Sequence, residues 1–182
     1  LDEAGNPLAE RRIGEIAIKS NCMLTGYFHR PDLNEKAFKD GWYLTGDLGY
    51  QVKDQIFITG RKKDLIIVGG KNIYPQDLER LASEVEGVYP GRVVAFGVQN
   101  ESGGTEDVVL VAETTLDDDA FDKPGLSEEF NRISLNIRQQ VTQGSDISLR
   151  YVHLVRRNWL IKTSSGKIAR SANRYKYLAE TS

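Results

Sequence analysis

The stretch Leu65-Ile66-Ile67-Val68-Gly69-Gly70, followed by a proline at position 75, decides the fold that we predict for this chain. Three of its four apolar residues are β-branched, which favours a buried strand, and the two glycines end that strand in a turn. Pro75 suits the first turn of a helix, where a missing N–H costs nothing. The apolar residues that follow recur at helical spacing and end before Gly87: Leu78, Leu81, Ala82 and Val85.

The rest of the chain after this helix has the pattern of a small α/β domain. In chain order, we predict a strand over 92–98, a turn over 100–104, a strand over 107–114, an acidic loop over 117–119, a helix capped by Ser127, a strand over 147–155 and a helix over 169–178. The middle helix has one apolar face, formed by Phe130, Ile133, Ile137 and Val141. We therefore predict the α+β class, with a two-layer domain whose helices lie on one face of a three-stranded sheet.

The residues before Gly60 are predicted to form short strands and turns. Alternating Ile16 and Ile18 indicate a strand over 14–18, and a short helix over 32–39 is predicted with Asp32 as its cap. Two more strands, over 50–52 and 55–59, are joined by a turn at Lys53-Asp54. This β-rich third contains little that could close a hydrophobic core by itself.

Composition excludes several classes of function. Of the 182 residues, 40% are hydrophobic and 27% charged, and the net charge is −2, which gives no reason to expect nucleic-acid binding. The longest apolar run, residues 108–112, is too short to span a bilayer, so we expect no membrane span. One cysteine, Cys22, excludes an internal disulfide and fits a reducing compartment, and we expect a cytoplasmic protein. With only two histidines, far apart, no zinc-type ligand spacing exists.

Three polar, glycine-containing segments suggest contacts with an anionic substrate. They are Tyr43-Leu44-Thr45-Gly46-Asp47, then Gly60-Arg61-Lys62-Lys63-Asp64 with Gly69-Gly70, and finally Thr163-Ser164-Ser165-Gly166-Lys167. Glycine lets a backbone approach a ligand closely, and hydroxyl groups can donate to oxyanions. Each segment alone is also typical of a solvated surface loop.

Together, these segments resemble the last three core motifs of the acyl-adenylate-forming enzymes. That family includes acyl-CoA synthetases, fatty acyl-AMP ligases, non-ribosomal peptide adenylation domains and luciferases. The resemblance covers essentially the whole chain and implies a piece of a larger enzyme that is inactive alone. Residues 1–60 would end the large N-terminal domain, 61–63 would form a hinge, and 64–182 would be the small C-terminal domain, called the lid.

The resemblance also implies a role for five residues. Asp47 would accept hydrogen bonds from the ribose hydroxyls of the nucleotide, and Arg61 would lie near the same ribose. Lys63 would be the hinge about which the lid rotates between adenylation and thioester formation, with an ambiguity of one position. Gly70 would line the tunnel for the pantetheine arm. Lys167 would be the catalytic lysine, offsetting negative charge in the transition state of adenylation.

One departure from the family pattern stands near this lysine. The family usually has proline two residues before the threonine of the last motif, whereas this chain has Ile161. Because proline would stiffen the loop, we expect a loop that is less preordered here.

The run Tyr74-Pro75-Gln76-Asp77-Leu78-Glu79 looks most like the corresponding run of fatty acyl-AMP ligases and of acyl-CoA synthetases for medium-chain and long-chain fatty acids.

The expected activity is therefore ATP-dependent activation of a fatty acid as its acyl-adenylate. The acyl group would pass to a thiol, either coenzyme A or the phosphopantetheine of an acyl carrier protein. Mg²⁺ would be held mainly by the N-terminal domain, on the leaving pyrophosphate. Three alternatives remain: an adenylation domain for a different carboxylate, a non-catalytic module that keeps this fold, and an independent α/β binding domain with coincidental motifs.

Overall fold

The chain folds as two compact units, Leu1–Lys63 and Asp64–Ser182. This computed structural model describes residues 1–100, 104–117, 121, 128–145 and 147–181. The predicted cap at Ser127, most of the predicted turn over 100–104 and part of the acidic loop lie outside the described residues.

The first unit is an antiparallel sheet with one short helix. Its elements are β1 (Gly14–Ile18), α1 (Pro31–Ala37), β2 (Phe38–Lys39), β3 (Trp42–Val52) and β4 (Gln55–Arg61). The long strand β3 pairs with the other three, and a turn at Lys53-Asp54 joins it to β4 as predicted. Within residues 1–63, all of which are described, Leu48 is the one buried apolar side chain, so this unit has almost no core of its own.

The helix α1 differs from its prediction. Arg30, not Asp32, is the residue that precedes it, and no side chain caps its first turn. Asp32 instead lies in the first turn and forms an ion pair with Arg30 at 2.7 Å. The proline at position 31 favours the first helical position, which moves the boundary two residues back from the predicted one.

The second unit begins with a hairpin and contains a three-stranded sheet. Its elements are β5 (Ile66–Val68), β6 (Lys71–Ile73), α2 (Pro75–Ser83), β7 (Val88–Gln99), β8 (Glu106–Thr114), α3 (Glu128–Ser145), β9 (Tyr151–Val155) and α4 (Arg170–Thr181). The sheet order is β7-β8-β9, with β7 antiparallel and β9 parallel to β8. A parallel neighbour needs a crossover, and α3 lies within the connection from β8 to β9.

The predicted α+β class and three-stranded sheet are confirmed, but the expectation that all helices lie on one face is wrong. Helices α2 and α3 pack on one face, over the side chains of Val93, Ala95, Val108, Leu110 and Ala112. Tyr177 of α4 packs on the other, with Val94, Phe96, Val109 and Val111. The uninterrupted apolar run in β8 explains this, because successive side chains of a strand point to opposite faces and both faces then need cover.

Candidate functional site

Asp47 and Arg61 lie side by side on neighbouring strands. They are register partners in the antiparallel pairing of β3 with β4, and Arg61 Nε donates to Asp47 Oδ1 at 2.8 Å. The Asp47 side chain is 29% exposed and that of Arg61 53%. Both groups are therefore accessible to a ligand, and the sheet fixes their spacing.

The Thr45-Gly46-Asp47 segment is held in place by side-chain hydrogen bonds. The Thr45 hydroxyl donates to the carbonyl of Ile16 at 2.8 Å and accepts from the Asp47 N–H at 3.1 Å. Gly46 has a φ of +74°, and its N–H donates to Glu15 Oε1 at 3.2 Å. The segment is thus a distorted part of strand β3 rather than a loop, and glycine is needed at 46 for the positive φ.

An open pocket of about 670 Å³ lies within the first unit beside this segment. Charged, aromatic, aliphatic and small polar residues line it: Glu15, Tyr27, Leu33, Lys36, Ala37, Tyr43, Leu44, Thr45, Gly46, Arg61, Lys62 and Lys63. The Tyr27 and Tyr43 hydroxyls are 3.0 Å apart, and this hydrogen bond raises the pKa of Tyr43. Lys62 Nζ lies 2.9 Å from Glu15 Oε2, so this lysine is paired within the pocket.

Lys63 is the last residue of the first unit and lies in a 3-10 turn, Lys62–Asp64. Its side chain is exposed, and the turn contains no buried residue. The next residue, Asp64, forms an ion pair of 2.5 Å with Arg170 within the second unit. A backbone rearrangement at Lys63 would therefore break no buried side-chain packing at that residue.

Gly70 lies in the tight turn between β5 and β6. Gly69 and Gly70 have φ of +56° and +77°, and Val68 pairs with Lys71 across the turn. Two-residue hairpin loops of this kind need positive φ at both positions, which accounts for both glycines. A Cβ added at Gly70 would meet no described atom within 4 Å, so the space beside it is open.

Lys167 is exposed at the end of a tight loop between β9 and α4. The Thr163 N–H donates to the Lys167 carbonyl at 2.8 Å, and Lys162 pairs with Ile168 as an isolated antiparallel bridge. The Thr163 hydroxyl accepts from the Lys167 N–H at 3.2 Å. The same hydroxyl can donate to the Lys167 carbonyl at 3.2 Å, so it contributes to the shape of the loop. That the hydroxyl groups of this loop donate to an oxyanion stays a prediction.

A charged cluster that the sequence did not predict surrounds Arg170, the first residue of α4. Arg170 donates to Asp64 at 2.5 Å and to Glu79 at 2.7 Å, and its Nε donates to the Ala95 carbonyl at 3.0 Å. The three charged side chains are only 15 to 19% exposed. The cluster joins the residue after Lys63 to the helix that follows Lys167. No local sequence pattern signals this cluster, because Asp64 and Glu79 are 106 and 91 residues away from Arg170 in sequence.

The described residues contain no group of three or more histidine, cysteine, aspartate and glutamate side chains placed to hold a metal ion. None of the described helices combines the length and the apolar content that a bilayer crossing requires. Of the predicted site residues, Asp47 and Arg61 lie together beside the pocket of the first unit. Gly70 and Lys167 lie on separate loops of the second unit.

Comparison with known proteins finds many relatives of one kind. The chain is 35% identical over 191 residues to the medium-chain-fatty-acid–[acyl-carrier-protein] ligase JamA of Moorena producens, a match that covers 97% of this chain and 31% of JamA. It is 37% identical over 160 residues to the 2-succinylbenzoate–CoA ligase of Listeria monocytogenes, which covers 87% of this chain and 30% of that enzyme.

A solved structure gives the same result. The fatty acyl-adenylate ligases from E. coli and L. pneumophila match with a TM-score of 0.80 and 30% identity, over 100% of this chain and 31% of the ligase chain. No protein-family model matches the chain. The chain spans about 30% of the length of the curated relatives that it matches.

Proposed function

On the premise that this chain belongs to the acyl-adenylate-forming enzymes and matches their C-terminal portion, we propose that it serves an ATP-dependent ligase. The ligase activates a carboxylic acid as its adenylate and then passes the acyl group to a thiol. The observation that carries this proposal is the contact between Asp47 and Arg61 at 2.8 Å, beside an open pocket.

Asp47 and Arg61 suit the ribose of a nucleotide. A carboxylate has two acceptor oxygens, so Asp47 can accept from ribose hydroxyls while Oδ1 also accepts from Arg61. Arg61 places a planar, positively charged guanidinium beside this carboxylate, in a fixed fork of donors. Because both groups stand on paired strands, they meet the ligand preorganised, which lowers the cost of binding it.

Lys167 supplies positive charge at the reacting phosphate. In the proposed first step a carboxylate oxygen of the substrate attacks the α-phosphorus of ATP. The new O–P bond forms as the bond to pyrophosphate breaks. The transition state gathers negative charge on the phosphoryl oxygens, and an ammonium group placed there stabilises it. The exposed position of Lys167 leaves its ammonium group free to approach a substrate.

The thiol step uses Lys63 and Gly70 in this proposal. Lys63 is the hinge, since it lies in a short turn at the end of the first unit. Gly70 lies beside the pantetheine arm of the acceptor, and the open space around it supports this role. The need for a positive φ explains this glycine equally well, so only a thiol-dependent assay separates the two reasons.

A fatty acid is the proposed acyl substrate. Two relatives support this choice: JamA, a medium-chain fatty acid ligase, and the fatty acyl-adenylate ligases of known structure. A different carboxylate is the second candidate, because the Listeria relative is named for 2-succinylbenzoate. The proposed acceptor is coenzyme A or the phosphopantetheine of a carrier protein. The names of the same two relatives, an acyl-carrier-protein ligase and a CoA ligase, support this choice.

Mg²⁺ would supply charge neutralisation at the phosphates. The described residues offer no acidic cluster that fits such an ion, so we derive no step through it from this chain.

In the first unit, several apolar side chains are exposed, among them Ile13, Phe28, Ile56 and Ile58. We propose that the remainder of a large N-terminal domain covers them.

Lys167→Ala in the longer ligase tests the proposal. The protein is given ATP, Mg²⁺ and a panel of fatty acids and other carboxylates, with and without coenzyme A, and acyl-AMP and acyl-CoA are separated. We expect formation of acyl-AMP to fall by at least about 100-fold, the scale of losing one preorganised charge. Lys162→Ala is the matched control, an exposed lysine of the same loop.

Equal effects of the two lysine changes would contradict the role of Lys167. Formation of acyl-CoA by the unchanged protein would identify a synthetase, whereas accumulation of acyl-AMP would point to a carrier protein as acceptor. Absence of any adenylate with every carboxylate would refute the proposed function and favour a non-catalytic module.

A further inference from the structure

Asn173 is a fully buried polar residue near the Lys167 loop. It lies on α4 with 0% of its surface exposed, although asparagine is ordinarily a surface residue. Its side chain makes three hydrogen bonds, all to backbone groups at the two ends of the loop. Oδ1 accepts from the Ile161 N–H at 2.8 Å, and Nδ2 donates to the carbonyls of Ile161 at 2.9 Å and Ala169 at 3.0 Å.

These hydrogen bonds hold Ile161 and Ala169, the residues at the two ends of the Lys167 loop. Ile161 and Ala169 are also joined directly, because the Ala169 N–H donates to the Ile161 carbonyl at 3.0 Å. The residue before the loop is anchored too, since the Leu160 N–H donates to the buried Glu113 Oε1 at 2.9 Å. Between these anchors residues 162–167 are exposed, and Ile168 is half-buried against the apolar cluster that contains Tyr177. The position of Lys167 therefore depends in part on how firmly the ends of the loop are held.

The Ile161 N–H is the group that needs Asn173. The two carbonyls that Nδ2 contacts have backbone donors as well: the Ala169 N–H for Ile161 and the Asn173 N–H, at 3.0 Å, for Ala169. Removing the amide side chain would therefore leave one group without its partner, the Ile161 N–H. A proline at 161 would have no N–H and would therefore remove this requirement.

We infer that Asn173 is a positioning residue for Lys167, which replaces the stiffness that a proline at position 161 would supply. This inference rests on the proposed function for its catalytic part. On this inference a buried amide orders the loop through hydrogen bonds rather than through a fixed φ angle, whereas the lack of proline alone predicts a less preordered loop.

The test is a double-mutant cycle of Asn173→Leu and Ile161→Pro. Asn173→Leu leaves the Ile161 N–H without an acceptor, and Ile161→Pro alone leaves Asn173 Oδ1 without its donor. The double variant has neither fault. Each single change should therefore loosen the loop, and the combination should restore it, a pattern that independent effects on stability would not produce.

The first readout is amide hydrogen exchange of this chain, followed by NMR at Ala169. That amide is present in all four proteins, and its partner is the Ile161 carbonyl. We expect Asn173→Leu to speed its exchange by about tenfold and the double variant to return within about twofold of the unchanged chain, which is a recovery of about 1 kcal/mol on the scale of 1.36 kcal/mol per tenfold. This readout does not depend on any catalytic activity.

The second readout separates the two half-reactions in the longer ligase. Asn173→Leu should lower acyl-AMP formation by about tenfold, with the loss in kcat rather than in KM for ATP, because misplacing a reacting group by a small distance costs rate. Transfer of the acyl group from preformed acyl-AMP to the thiol should stay within about twofold. Ile137→Val is the control, since it loosens the core of the same unit without touching the loop.

Unchanged exchange at Ala169 in Asn173→Leu would overturn the inference, as would a double variant no better than the single ones. If Asn173→Leu does not fold, recovery of folding in the double variant supports the inference and its failure to fold overturns it. If the unchanged ligase forms no adenylate, the proposed function fails while the exchange measurement still decides whether Asn173 orders the loop.

Discussion

Arg170→Met should destabilise the second unit by about 3 kcal/mol. Methionine keeps much of the apolar length of the arginine stem but removes the guanidinium. The change leaves Asp64 and Glu79 with their charges and without the cation between them. Its effect tests whether the cluster that joins the end of the turn Lys62–Asp64 to α4 stabilises the fold.

The magnitude follows from burial and from the contacts that survive. Breaking a buried ion pair by removing one partner costs about 3–5 kcal/mol, because an uncompensated charge remains. The side chains here keep 15 to 19% exposure, and Glu79 Oε1 still accepts from the Ala95 N–H at 2.9 Å. Both facts move the expectation to the lower end of that range. With an m value of about 2 kcal/mol/M, the urea midpoint should fall by about 1.5 M.

Urea unfolding of this chain, followed by far-UV circular dichroism, measures the effect. Arg174→Met is the matched control, because Arg174 lies one turn later on α4. Its Nε donates to a neutral group, the Gly97 carbonyl, at 2.9 Å, and Gly97 lies on β7, as does the Ala95 carbonyl that Arg170 contacts. Losing that bond should cost only about 1 kcal/mol. Glu79→Gln in the Arg170→Met background should recover about 1 kcal/mol, since it removes one unpaired charge.

Equal losses for the two arginine changes would refute the reasoning. They would mean that Arg170 contributes no more than one hydrogen bond to a carbonyl. A further loss on adding Glu79→Gln would refute the electrostatic part separately, since it would show that the Glu79 charge is favourable without its arginine.

Three further predictions concern pH, backbone strain and proteolysis. Burial holds the pKa of His153 below its ordinary value of about 6.5. The contribution of this residue to the free energy of unfolding should be fully present above about pH 6.5. It should be lost as the pH falls through the lower pKa of the folded state, because the unfolded chain takes up the proton first. Urea titrations between pH 8 and 5 should show that fall, and His153→Gln should flatten it. Gly70→Val should cost about 1–2 kcal/mol because of its positive φ, while Gly70→Asn should cost less, since asparagine tolerates that conformation; equal costs in thermal unfolding would contradict the strain argument. Limited trypsin digestion should cut first at the exposed basic residues 61–63 and leave a resistant fragment that begins near Asp64, as mass spectrometry would show; early cuts within β7 or β8 would contradict the contrast in burial between the two units.

Periodicity predicted most of the second unit correctly, because its core is regular. Ile133, Ile137 and Val141 recur at helical spacing, and all three are fully buried in α3. The last strand proved shorter than predicted, beginning at Tyr151, because the apolar Ile147 and Leu149 are buried before the sheet pairing starts. Burial and strand pairing are separate properties, and an apolar residue signals only the first.

The sequence predicted which residues belong to the candidate site, but not the contacts that hold those residues in place. Asp47 and Arg61 stood out in short motifs, and their direct contact depends on the register of β3 with β4, which no local pattern specifies. Asn173 gave no signal, because a polar residue on a helix is ordinarily solvated. Its burial follows from α4 covering the second face of the sheet, a placement that becomes evident only when both faces of β8 are seen to be apolar.

The exposed strand β4 also bears on solubility. It pairs with β3 and with no other described strand, so its outer edge presents unpaired backbone groups. Its central side chains, Ile56, Phe57 and Ile58, are 62%, 42% and 69% exposed. An apolar edge of this kind is a template for intermolecular cross-β stacking. Of the basic residues 61–63 that follow it, Arg61 and Lys62 are paired with Asp47 and Glu15. We expect the exposed Lys63 to oppose such stacking through like-charge repulsion, so the residue that we propose as the hinge also reduces association between copies of the chain.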